Sequence, residues 1–337
     1  MAANANLHKA KDAKNDEFYT QLSDVSRELM HYKPHFKDKI VFCNCDDPTW
    51  SAFWKYFHLN FAALGLKKLI STHYDKTKPT YKMEYTGGDD NNIEAGVITP
   101  LEGNGDFRNK ECLDLLDESD IVVTNPPFSL FREYLNILIE HNKKFLIIGN
   151  RNALTYKEVF PLIRDNKIWL GNGFQNGNAY FLIPKDSDTS VYAKGVYDEA
   201  TGLVKFRNCI WFTNLDHKKR HEKLILWKKY TPEEFPNYDN YDAINVDKVQ
   251  NIPCDFYGVM GVPITFVDFY CPEQFEIVAF RKGNDGKDLV FTRERESSTI
   301  LSYPCTTSIA GMIKNAEGKI NGKPTYARIT IRRISNQ

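Results

Sequence analysis

Four consecutive residues, Asn125-Pro126-Pro127-Phe128, offer the most specific chemistry in the chain. The Asn125 side-chain oxygen and the Pro126 carbonyl can each accept one hydrogen of an NH2 group. Holding both hydrogens draws the nitrogen lone pair out of conjugation with its ring and aims it at an electrophile. Phe128 supplies a flat face for that ring, a contact worth roughly 1–3 kcal/mol for a nucleobase. Pro127 stiffens the loop by fixing φ. The amine can lose its proton after attack, so no general base has to act first. The same four residues would also serve as a plain strand-ending turn, where Asn and Pro are common.

The neighbouring residues favour the chemical reading. Ile121-Val122-Val123 has the apolar character of a buried parallel strand, and it stops at Asn125. Two prolines remove two backbone donors, so neither ladder nor helix continues there. The carbonyls of Thr124, Asn125 and Pro126 are left to accept hydrogen bonds from elsewhere. A helical pattern resumes with Ser129 as N-cap and runs through Leu130, Phe131, Tyr134, Leu135 and Leu138. The loop therefore lies at the carboxyl end of a strand, where open α/β sheets keep their sites.

Further elements alternate along the chain. Residues 39–42 read as the first core strand, running into Asn44-Cys45-Asp46-Asp47-Pro48. Residues 49–64 have helical spacing, 66–71 form a second strand with Asp75 as the nearest acid, and 76–96 are loop-like with Gly87-Gly88 as punctuation. Gly103-Asn104-Gly105-Asp106-Phe107-Arg108 is a turn after a short strand. Strands follow at 144–148 and 168–170, with a helix between them at 155–164. A polar, Gly-rich connection at 171–177 follows, which reads as a lining of the target pocket or as a surface loop, and residues 179–184 and 208–213 are expected to be the last strands of the sheet. Beyond them, 264–269 and 275–280 are strand-like.

In order, Asp16-Glu17-Phe18-Tyr19-Thr20-Gln21, Phe42 to Pro48, Gly105 to Arg108, Asp120 to Tyr134, Tyr241 to Val246 and Gly258 to Phe266 together closely resemble the EcoRI-type adenine-specific DNA methyltransferases. The resemblance runs from about residue 7 to about residue 282, weakening through 172–207 and over the last fifty or so residues. It implies S-adenosylmethionine as cofactor, with Phe18, Tyr19 and Thr20 against its methionine end. The turn at Asn44, Cys45 and Asp46 would wrap it, Asp106 would accept its adenine amine and Phe107 would pack on its ring. In related enzymes that turn carries glycines, which let backbone approach a ligand; here it has none. The catalytic set implied is Asn125, Pro126, Pro127 and Phe128, acting on an adenine flipped out of double-stranded DNA.

Composition narrows the rest. A chain of 337 residues suits one large domain and a smaller one, and 42% hydrophobic content supplies ample interior. Lysine plus arginine balance aspartate plus glutamate at 44 each, so positive charge for nucleic acid must be concentrated locally. One concentration is Lys218, Lys219, Arg220, Lys223, Lys228 and Lys229 against Glu222 alone, which reads equally as a phosphate-binding cluster or a solvated helix face. The other is the tail, with Lys323, Arg328, Arg332 and Arg333, whose basic–apolar alternation from Tyr326 predicts a strand with one basic face. That fits a sheet edge beside a nucleic-acid groove or a charge-protected edge. Seven cysteines without a regular framework or secretory signal read as reduced thiols in a cytoplasm. No apolar run approaches the ~20 residues of a membrane span. No metal set is expected, because Cys43 and Cys45 lack partners. Residues 1–15 read as a mobile arm.

The expectation is thus a doubly wound, mostly parallel α/β sheet of methyltransferase type with antiparallel edge strands. Residues 1–230 form the cofactor-binding catalytic domain and 231–337 a DNA target-recognition region. The function expected is N6-adenine methylation of duplex DNA, by a solitary methylase or by the modification partner of a cognate restriction endonuclease without a stable complex. RNA adenine, a guanine amine or a protein glutamine amide also presents an NH2 beside a planar π-system. A DNA-binding protein without activity is the alternative from another class.

Overall fold

Short apolar runs bounded by polar turns build the centre of the fold. The computed structural model describes residues 19–75, 79–183, 189–239, 242–281, 319–321, 323–324 and 328–335. The chain divides into two compact units, one of Met1–Ala153 with Trp169–His217, the other of Leu154–Ile168 with Lys218–Gln337. The second unit thus takes in the chain from Lys218 onward together with a segment from mid-chain.

The first unit holds an eight-stranded sheet. Its centre is four parallel strands: β2 (Ile40–Cys43), β3 (Lys68–Thr72), β6 (Ile121–Thr124) and β7 (Lys144–Asn150). Antiparallel strands flank both ends: β4 (Tyr81–Tyr85) and β5 (Val97–Pro100) beside β3, and β12 (Cys209–Thr213) and β8 (Trp169–Leu170) beside β7. The full order is β5-β4-β3-β2-β6-β7-β12-β8, so the sheet is mixed. All four β6 residues are buried, as a strand covered on both faces requires. The chain leaves β2 for β3 on one side and returns to β6 on the other, so the winding reverses between β2 and β6.

Several expectations change. The 76–96 loop contains β4, whose alternate residues Met83 and Tyr85 are buried and Lys82 and Glu84 less so. Residues 49–64 are two helices, α2 (Ala52–Leu59) and α3 (Phe61–Leu64), after α1 (Leu22–Leu29). The 155–164 helix is only α6 (Phe160–Arg164), after α4 (Lys110–Glu118) and α5 (Phe131–Glu140). Ser129 does not cap α5, because a 3-10 turn over Phe128–Leu130 leads into it and leaves Leu130 at the cap position. Ser51 is the cap that forms, its hydroxyl accepting from the Phe53 and Trp54 amides at 3.1 and 3.2 Å. Residues 179–182 leave the main sheet for a small antiparallel one, in the order β1 (Tyr19–Thr20), β9 (Ala179–Leu182), β11 (Leu203–Phe206), β10 (Tyr197–Asp198). The Gly-rich connection is tied down rather than loose. The buried Glu28 carboxylate accepts the Asn172 and Gly173 amides at 2.7 and 2.9 Å, and a Cβ on Gly171 would lie 2.3 Å from that carboxylate.

The second unit has a sheet in the order β13 (Ile244–Asn245), β14 (Met260–Val262), β18 (Arg328–Arg333), β15 (Phe275–Arg281), and a separate hairpin of β16 (Lys319–Ile320) and β17 (Lys323–Pro324). Phe160 of α6 packs on Phe280 at 5.3 Å. Residues 264–269 form a 3-10 helix, not a strand. The tail strand is interior, between β14 and β15, and Ile329, Thr330 and Ile331 are all buried. Arg328 is 8% exposed, with its guanidinium 3.4 Å from the Asp247 carboxylate, and Arg332 lies 3.3 Å from Glu276. The expected basic face at a sheet edge is thereby corrected. The arm at 1–15, Phe18 and residues 282–318 lie outside the described residues. Among the described residues no helix is long and apolar enough to cross a membrane.

Candidate active site

The ends of β2 and β6 meet where the winding reverses, and one carboxylate joins them. Asp46, just past β2, accepts hydrogen bonds from the Thr124 hydroxyl, from Ser51 Oγ at 3.1 Å and from the Asn125 backbone N–H. The single Thr124 hydroxyl proton is shared between that carboxylate and the Asn44 carbonyl, and Ser71, on β3, donates to the Asp46 carbonyl. Asn44 is buried, and its side-chain oxygen accepts from the Cys45 amide at 2.9 Å and the Thr72 hydroxyl at 3.0 Å. Three strand ends are thus cross-tied by side chains of the β2 turn.

That turn lacks glycine, yet it adopts the conformation a glycine would. Cys45 sits at φ 63°, in the left-handed region that costs an L residue about 1–2 kcal/mol. The hydrogen bonds on either side of it hold the turn in place. Burial pushes the Asp46 carboxyl up to about 7, against the lowering effect of Thr124, Ser51 and Asn125. Its neighbour moves the other way. Asp47 is also desolvated, but hydrogen bonds from His73 and Thr49 outweigh that and hold it at about 2.

The Asp106 turn approaches from the β5 side. Gly105 has φ 73°, and a Cβ there would lie 2.1 Å from the His73 carbonyl, so only glycine lets the turn pass so close to the end of β3. Both Asp106 carboxylate oxygens hold Arg108, at 2.8 and 2.6 Å. Phe107 is 4% exposed, its ring edge-on to Tyr134 of α5 at 4.9 Å. It backs the turn rather than presenting an open face. Burial, with the nearby charges of Asp46, Cys112 and Asp106, pushes the Cys45 thiol well up, and burial with Cys45 and Asp46 does the same to Tyr134.

The Asn-Pro-Pro-Phe loop starts directly after Thr124. Pro126 is buried, and Asn125, Pro127 and Phe128 are half-buried. Phe128 meets the rings of Phe181 and Phe206 at 6.1 and 6.0 Å, both edge-on. Phe181 pairs with Thr20 across β1 and β9, which brings the Tyr19–Thr20 segment to the same cluster. Tyr19 in turn stacks on Trp50 at 6.5 Å.

Tyr19, Thr20, Asn44, Cys45, Asp46, Asp106, Phe107 and the loop 125–128 therefore converge within the first unit. The basic candidates do not belong to that cluster. Lys218, Lys219 and Arg220 form a 3-10 turn in the second unit, where Arg220 reaches Asn166 at 3.2 Å, while Lys323 opens β17 and Arg328 and Arg332 lie in β18. Sequence reading missed Thr124, Ser71 and Trp50. A hydroxyl as the last residue of each of two apolar strand runs (Ser71-Thr72 and Thr124) was the available signal.

The raised Asp46 carboxyl has a stability consequence. The folded state holds the Asp46 proton more tightly than the unfolded chain, so its contribution is complete below about pH 4 and is lost as pH rises through about 7. The gap from the ordinary value of 3.8 corresponds to roughly 4 kcal/mol. Urea denaturation of Asp46→Asn and the parent at pH 5 and pH 8 should show the variant gaining relative stability by roughly 2–4 kcal/mol between the two. A difference independent of pH would mean that Asp46 ionises as an ordinary carboxyl.

Comparison with known proteins accords with this geometry. The family described as "Adenine-specific methyltransferase EcoRI" matches residues 6–334. Type II methyltransferase M.EcoRI of Escherichia coli is 50% identical over 302 residues, covering 86% of this chain and 93% of that protein. Type II methyltransferase M.MpnI of Mycoplasma pneumoniae is 35% identical over 336 residues, covering 98% of each, and M.MgeORF184P of Mycoplasma genitalium is 35% identical over 338 residues. No solved structure gives a significant match. With strand-end loop, cross-tied turn and whole-chain likeness in agreement, the chain belongs to the EcoRI family of adenine-specific methyltransferases.

Proposed function

We propose that the protein methylates N6 of adenine in double-stranded DNA, with S-adenosylmethionine as donor, as the modification enzyme of a restriction–modification system. The observation that carries this reading is the Asp46 carboxylate, bonded at once to Thr124 and Asn125, which ties the turn after β2 to the Asn-Pro-Pro-Phe loop. The reversal of winding between β2 and β6 supports a doubly wound, methyltransferase-type sheet with its crevice at those strand ends.

The residues present fit the cofactor. Asp46 is a desolvated acid that pairs with no cation among the described residues, so a positively charged ligand group would complete it. S-adenosylmethionine, when bound, supplies a methyl group on a cationic sulfur. Asp46 with Asn44 and Cys45 would hold its charged end, and Tyr19 and Thr20, with Phe18 before them, would flank it. Asp106, fixed by Arg108, would accept an adenine amine, and Phe107 and Tyr134 keep that turn in place.

The chain's own part in the reaction is positional. Extruding the target base costs a few kcal/mol, offset in part by stacking on Phe128, whose ring Phe181 and Phe206 hold edge-on. Asn125 Oδ1 and the Pro126 carbonyl would each accept one amine hydrogen and turn the lone pair outward. Pro127 keeps the loop from relaxing. Target recognition would fall to the second unit, together with Lys218, Lys219, Arg220, Lys323 and the ion-paired Arg328 and Arg332.

Incubation with methyl-labelled S-adenosylmethionine and plasmid DNA, then nucleoside analysis, should yield labelled N6-methyladenine. Label in RNA or protein and none in duplex DNA would overturn the acceptor. Asn125→Ala separates orientation from binding. Its backbone N–H still reaches Asp46, so cofactor affinity should stay within a few fold while turnover falls by at least about 100-fold. Near-normal turnover would remove Asn125 from the role given it.

A further inference from the structure

The basic stretch after residue 217 contains a feature that charge alone does not explain. Past the 3-10 turn Lys218–His221, residues 222–230 form no helix or strand. Exposure nevertheless alternates with period two: Lys223, Ile225, Trp227 and Lys229 are exposed, and Leu224, Leu226, Lys228 and Tyr230 are half-buried. Such alternation marks an extended backbone with two faces.

The inner face is pinned along its length. The Leu224 amide donates to Gln274 Oε1 at 2.7 Å, and its carbonyl accepts from Gln274 Nε2 at 2.8 Å. The Lys228 carbonyl accepts from the Cys254 amide at 2.7 Å, and the Tyr230 amide donates to Asp255 at 2.8 Å. The Tyr230 ring packs on Phe256 at 4.8 Å, and Lys228 pairs with Glu234 at 3.0 Å. A segment anchored in this way cannot turn its outer side chains inward.

The outer face is the unusual one. Ile225 is 89% exposed and Trp227 68%, the highest values for large hydrophobics among the described residues. Lys223 and Lys229 flank them and form no ion pair among the described residues. The face therefore reads cation, aliphatic, aromatic, cation. A protein interface depletes charge and lysine around its apolar centre. Duplex DNA asks for the opposite, cations for phosphates and an apolar wedge against bases. Alternate side chains of an extended chain stand ~6.6 Å apart, about two base-pair rises of ~3.4 Å.

We propose that residues 223–229 form a DNA-binding strap, in which Ile225 and Trp227 wedge against a base step while Lys223 and Lys229 hold flanking phosphates. The inference rests on duplex DNA being the substrate and adds the residues that grip it. The test uses the full-length protein and a duplex that it methylates, with binding followed by fluorescence anisotropy across a salt series. The paired change Ile225→Ala with Trp227→Ala should weaken binding at least ~10-fold with the salt slope unchanged, since apolar contacts release no counterions. Lys223→Ala with Lys229→Ala should lower the slope of log affinity against log salt by about 1.8, or ~0.9 per phosphate. S-adenosylmethionine affinity should stay the same in both. If the Ile225/Trp227 variant binds within two-fold of the parent, the strap is wrong. The same holds if its only change is from dimer to monomer in sedimentation, which would assign the face to a second copy. A parent protein that binds no duplex would sink the substrate along with the strap, so the two failures are distinguishable.

Discussion

The structure of the site depends on one carboxylate shared between two strand ends. Asp46 follows β2 and Thr124 ends β6, and the two strands pair in parallel ahead of those ends, Val41 with Ile121 and Phe42 with Val122. Beyond the ladder, backbone pairing no longer sets the distance between the two loops. The bonds from the Thr124 hydroxyl and the Asn125 amide to Asp46 take over that task. The apolar sheet fixes where the strands run, and a polar knot fixes where the loops after them stand.

That knot is costly in isolation. It contains a carboxyl pushed up to about 7 by burial, a non-glycine residue at positive φ, and a turn that passes too near His73 for any side chain on Gly105. Such local costs tend to gather at functional sites, where the surrounding structure over-determines them. Here the support is visible: Ser51 and Thr124 on the Asp46 carboxylate, Thr72 on Asn44, Arg108 on Asp106 and Tyr134 against Phe107. A cationic ligand group next to Asp46 would relieve the largest of these costs, so strain in the free protein becomes affinity in the complex.

The central parallel strands and the loop at 125–128 were legible in the sequence, because a wholly apolar run ended by two prolines has few other readings. The strand ending at Cys43 and its polar turn were legible as well. The conformation of that turn was not, because Cys45 is not glycine yet takes a positive φ, and contacts from Ser71, Thr72 and Thr124, distant in sequence, hold the turn there. The tail failed for a related reason. Alternating Arg328, Ile329, Thr330, Ile331 and Arg332 looks like an edge strand until Asp247 and Glu276 arrive from elsewhere to neutralise the arginines. At 264–269 the apolar run read as strand-like is a 3-10 helix, since so short an apolar run does not distinguish the two.

The most direct test of the shared carboxylate is Thr124→Val, which keeps shape and burial and removes the hydroxyl whose proton Asp46 and the Asn44 carbonyl share. S-adenosylmethionine affinity and the single-turnover rate of DNA methylation would be measured on the same preparation. If the hydroxyl sets both loops, both quantities should fall together, each by roughly 10-fold or more, as expected when a buried carboxylate loses a hydrogen bond. A variant with both values within two-fold of the parent would contradict a structural link between the two sites through Asp46.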